Sequence, residues 1–141
     1  MKPVIQLERT GYGIAGVAAL AGVSYTAAKH VANRLGIYAA DKRLWSETAH
    51  VRRLLKQYRL HASIRTTPFV SWNTLPDRAL LAIKWHRVKG QAFCHWVVFI
   101  RDTSGSYVLD SKRSLQRHVR TDFGRMKPRW FIEIQYEASC R

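Results

Sequence analysis

Apolar positions in the first part of the chain recur at helical spacing. From Tyr12 to Ala21 small and apolar residues dominate, and Ile14, Val17, Ala18 and Ala21 share one face, which predicts a helix that Gly22 ends. Ser24 reads as the N-cap of a second helix running to about Leu35, with Gly36 just past its end. A third helix is expected after Ser46. Its apolar stripe is Val51, Leu54, Leu55 and Tyr58, while Arg52, Lys56 and Arg59 fall together on the outer face.

Beyond these helices the pattern shifts to short runs rich in β-branched and aromatic residues, separated by turn residues. Ala79 to Trp85, Phe93 to Arg101, Tyr107 to Asp110 and Trp130 to Glu137 are the predicted strands. The segment Asp102-Thr103-Ser104-Gly105-Ser106 is a compact turn, so the strands on either side of it should form an antiparallel hairpin. Helices followed by a sheet predict an α+β domain, and no repeat or linker divides the chain.

Composition adds one outlier. The 141 residues carry 24 Lys and Arg against 9 Asp and Glu, a formal charge of +15. Such an excess points to an acidic or polyanionic partner and says nothing about catalysis. The two cysteines, Cys94 and Cys140, are too few for a disulfide framework and have no zinc-like spacing, so neither metal nor cofactor is expected. No apolar run approaches the length of a membrane-spanning helix. Ile14 to Val23 with Ala19-Leu20-Ala21 has the outline of a secretory signal, but Glu8 in the would-be basic region and the Ala/Gly content favour a structural helix, and hence a cytoplasmic chain.

Four positions carry the candidate chemistry: Gln6, Tyr12 at a helix start, His95 in a strand and Asp110 at the end of the next. A cysteine protease needs a thiolate at a helix N-terminus, an imidazole beside it, a carboxylate or amide to orient that imidazole, and an amide donor for the oxyanion. The stretch from Gln6 through Tyr12-Gly13-Ile14-Ala15 resembles the opening of the papain-like bacteriocin-leader (double-glycine) peptidases, which run Gln, five residues, catalytic Cys, Gly and a helix of small residues. Ala79 to Trp85 resembles the strand before their catalytic histidine, His95-Trp96-Val97-Val98-Phe99 the histidine strand, and Tyr107-Val108-Leu109-Asp110 the strand ending in the orienting aspartate.

The resemblance implies a papain-like fold with N-terminal helices packed on a C-terminal antiparallel sheet. It also implies Gln6 as oxyanion donor, His95 as general base and acid, and Asp110 as its orienter. Tyr12 stands where the family has its cysteine. A phenol with a reference pKa near 10 stays protonated at neutral pH, and a helix dipole worth at most about 2 kcal/mol does not change that. The family includes degenerate domains of toxin exporters that carry Tyr here, do not cleave, and bind the transported substrate. The resemblance thus implies a non-catalytic domain that binds a peptide or protein through the former active-site cleft.

Other residues compete for these roles. Cys94 precedes His95 in a strand and should face away from it, and Cys140 lies beyond the last strand. If Arg101 pairs with Ser106, Val97 falls opposite Asp110 and the carboxylate shares a face with His95. Trp85 and Trp96, each in an apolar strand context, are expected as core or cleft-wall aromatics rather than a base-stacking platform. Arg52, Lys56, Arg59, Lys112, Arg113, Arg117 and Arg120 are expected to form a basic surface if the fold unites them. That surface supports an alternative role in nucleic-acid binding; a hydrolase in which His95 and Asp110 activate water is the third possibility.

Overall fold

The computed structural model describes residues 1–136, apart from the side chains at positions 45 and 46. Four helices precede the main strands: α1 (Tyr12–Ala21), α2 (Tyr25–Arg34), α3 (Lys42–Ser46) and α4 (Ala49–Gln57). Gly22, in the left-handed region at φ 71, closes α1 by donating to the carbonyls of Ala18 and Ala19, and Ser24 caps α2 through its side chain. The short α3, capped by Asp41, was not expected from the pattern; five residues are too few to show a period.

The strands are β1 (Leu60–Ala62), β2 (Thr67–Pro68), β3 (Arg78–Val88), β4 (Gln91–Asp102), β5 (Gly105–Leu109), β6 (Val119–Arg120) and β7 (Pro128–Tyr136). All described pairings are antiparallel, in the order β1-β7-β3-β4-β5-β6, with β2 also on β7. The chain is therefore α+β, as its pattern predicts. Glu137, expected to end the last strand, and Cys140 lie outside the described residues.

Ala79 to Ile83 of β3 and Trp96 to Ile100 of β4 are buried without interruption, because the sheet is covered on both faces. On one face Leu80, Ala82, Cys94, Trp96, Val98 and Ile100 pack with the helices, chiefly α1, nine of whose ten residues are buried. On the other face Leu81, Ile83, Val97, Phe99 and Val108 meet Leu75, Met126, Phe69, Trp72 and Phe123 from the connecting segments. Small side chains on α1 allow it to lie close over β4, which brings its N-terminus to the strand that carries His95.

Candidate functional site

The β4–β5 register decides where the acidic partner of His95 sits. Arg101 pairs with Ser106 and Val98 with Leu109, so one more step places Val97 opposite Asp110, on the same side as His95. β5 ends there, which leaves His95 on a stretch of β4 that has no β5 partner. Across the resulting corner His95 Nε2 meets Asp110 Oδ1 at 2.6 Å.

Asp110 is the best-partnered side chain of the site. It is 1% exposed, and its second oxygen accepts from Arg120 Nη1 at 2.8 Å, while the Lys112 backbone N–H donates to the first at 3.1 Å. Burial alone would raise its pKa. The hydrogen bond and charge of His95, then Arg120 and the Lys112 N–H, outweigh that and hold the carboxyl well below the usual range. Arg120 in turn forks onto Asp122, at 2.9 Å from Nε and 2.7 Å from Nη2. Asp110 also exchanges backbone contacts with His118, donating its N–H to the His118 carbonyl and receiving His118 Nδ1 on its own carbonyl, each at 2.8 Å.

Tyr12 opens α1 and meets the imidazole edge-on, with ring centroids 5.1 Å apart and planes at 74°. Its hydroxyl has no hydrogen-bond partner among the described residues, so the contact is one of ring packing rather than a phenol–imidazole bond. Burial, and then the nearby Cys94 sulfur, push the phenol's pKa up, further from any nucleophilic form. No family model matches the chain, and no curated protein matches it.

Gln6 is buried and ties the N-terminal loop to the residue after Asp110. Its backbone N–H donates to the Ser111 carbonyl at 3.0 Å, and its side-chain oxygen accepts from Ser111 Oγ at 2.7 Å. The amide nitrogen donates to the carbonyls of Glu8 at 3.0 Å and Arg9 at 2.8 Å. Both amide hydrogens are thus directed at the turn leading into α1. Gln6 holds the site's entry loop in place and, in this arrangement, keeps no spare donor for an oxyanion.

Several expected site residues fall elsewhere. Trp96 is not a cleft wall: it is 1% exposed, donates to the Leu44 carbonyl at 3.3 Å and packs edge-on against Trp130. Alternation along β4 turns it, with Cys94, to the helix face. Burial pushes the Cys94 thiol up to about 12, which removes it as a nucleophile. Trp85 lies on the part of β3 that runs past the sheet, under Arg87 and Arg129.

The basic residues do not form one surface. Arg52, Lys56 and Arg59 line an open groove of ≈ 770 Å³ with His61 and Ile64, beside β1 at one edge of the sheet. Lys112, Arg113 and Arg117 are exposed near β6 at the opposite edge. Arg120 belongs to neither group, since its side chain is 10% exposed and serves Asp110 and Asp122. Sequence reasoning missed that role. Asp122 two residues on was the one signal, and it becomes informative only once β6 is known to pair with β5.

Among the described residues no helix is long and apolar enough to cross a membrane, and no cluster of His, Cys, Asp and Glu could hold a metal ion.

Proposed function

We propose that this chain is a catalytically silent domain of the cysteine-peptidase type, papain-like in fold, that binds a peptide or protein segment where α1 meets β4. The observation that carries this reading is the half-buried His95 held 2.6 Å from the buried Asp110, with Tyr12, rather than a thiol, against its imidazole at the first turn of a helix. A helix N-terminus facing a carboxylate-oriented imidazole is what thiolate activation requires. With a protonated phenol in that place, the same arrangement has no nucleophile. The order Gln6, Tyr12, His95, Asp110 along the chain, and the link from Gln6 to Ser111, support the family resemblance on which the peptide partner rests.

Hydrolysis and binding of a library of leader-type peptides test the proposal. Wild type should bind some of them without cleaving any, and Tyr12→Ala should weaken that binding. Tyr12→Cys should gain cleavage that His95→Ala removes. Cleavage by wild type that His95→Ala abolishes would overturn the proposed silence, and failure to bind any peptide would overturn the binding role.

A further inference from the structure

β3 and β4 continue past the point where β7 leaves them, forming a two-stranded arm from residue 84 to residue 93. Its tip is a two-residue turn: Val88 pairs with Gln91, and Lys89 and Gly90 both have positive φ, at 50° and 80°, as a type I′ turn requires. No Asp or Glu occurs anywhere from Arg78 to Arg101. Lys84, His86, Arg87 and Val88 are exposed.

Two irregularities meet at the root of the arm. The β3–β4 register shifts between Ile83 and His86, where Lys84 takes a positive φ of 53°, and the β7–β3 register shifts so that Arg129 becomes the extra residue. Adjacent bulges re-aim side chains. Here they lay the Arg129 guanidinium over the Trp85 ring, 3.9 Å from its centroid, with Arg87 5.3 Å from the same centroid. Neither arginine has a carboxylate partner among the described residues. One indole thus contacts two guanidiniums, and stacking leaves their edge N–H groups available to an anion.

We propose that this arm binds the phosphate backbone of duplex nucleic acid by entering the major groove. A two-stranded ribbon fits that groove, which is about 12 Å wide, and five residues at ~3.4 Å each reach across it. The aromatic surfaces favour a duplex over a single strand. Arg129 and Arg87 contact the Trp85 ring, and His86 stacks on Phe93 at 5.6 Å and 19°, so each aromatic ring of the arm already has a stacking partner. The tip, Val88-Lys89-Gly90-Gln91, exposes one apolar side chain, Val88, and has no Trp, Phe or Leu to anchor it in a lipid surface. The proposal is independent of the peptide-binding role.

The test is fluorescence anisotropy of the full chain with a labelled mixed-sequence DNA duplex, titrated with KCl. Wild type should bind at low salt with a steep salt dependence. Arg87→Gln/Arg129→Gln should weaken binding at least about tenfold and flatten the log–log salt slope by about 2, and the turn variant Lys89→Asn by about 1. Lys112→Gln/Arg113→Gln, at the far edge of the sheet, should change both less. Any of four results would overturn the proposal: no duplex binding at low salt, equal binding by the double variant and Lys89→Asn, tighter binding to the single strand, or capture by phosphatidylserine vesicles alone.

Discussion

The corner around His95 and the arm that grows from the same two strands treat charge in opposite ways. At the corner Asp110 is buried, and His95, Arg120 and the Lys112 N–H share its two oxygens. On the arm, cations stand exposed with no acid in the flanking sequence, and what orders them is an indole ring. A network whose members satisfy one another stabilises the fold and leaves its charges little to offer an anion. Cations without counter-charges cost solubility little and keep their interaction energy for a partner. The fold therefore depends on the corner, whereas the proposed contact with a polyanion falls to the arm.

Breaking the corner should have the largest effect. Asp110→Ala leaves Arg120, at 10% exposure, without one of its two carboxylates and deprives His95 and the Lys112 N–H of their acceptor. Removing one member of a buried pair typically costs about 3–5 kcal/mol, so thermal unfolding should shift down by on the order of 10 °C. Calorimetry of the variant measures this directly.

Acid should act on the same group. The Asp110 carboxyl has a lower pKa folded than unfolded, so the unfolded chain takes up more protons in the acid range. Its stabilisation is complete above the unfolded value near 4 and drains away as the pH falls below that. Urea titrations between pH 2 and 6 should show this slope in wild type and a shallower one in Asp110→Asn.

Tyr12→Phe sharpens the contrast from inside the corner. The hydroxyl has no partner among the described residues, so its removal should cost under about 1 kcal/mol and leave the ring contact with His95 intact. The smallest effect belongs to the arm. Arg87→Gln/Arg129→Gln should alter stability by no more than about 0.5 kcal/mol per position, because both side chains are exposed.

How much of this was legible in the sequence follows from the length and regularity of each element. Ser24, Gly22 and the small residues between Tyr12 and Ala21 specify their helices locally, and the Gly105 turn sets the β4–β5 register that aligns Asp110 with His95. β1, β2 and β6, at two or three residues each, carry no period. Expecting β3 to stop at Trp85 missed the arm, since Lys84, His86 and Arg87 read as the end of a strand when they are a bulge and its continuation. Arg120 looked like surface charge because the carboxylate it serves is ten residues back and reached only through the β5–β6 pairing. Long-range pairing of this kind leaves no local trace.

The central claim is that the corner sets a carboxylate-oriented imidazole against the first turn of a helix with no thiol beside it. The rate of alkylation by iodoacetamide against pH, measured on Tyr12→Cys with Cys140→Ser in the background, tests it most directly, because Cys94 is buried and its thiol is pushed up to about 12. The account predicts a thiol that titrates well below the ordinary value of about 8.5 and returns toward it when His95→Ala is added. A thiol at Tyr12→Cys that titrates at its ordinary value and ignores the loss of His95 would contradict it.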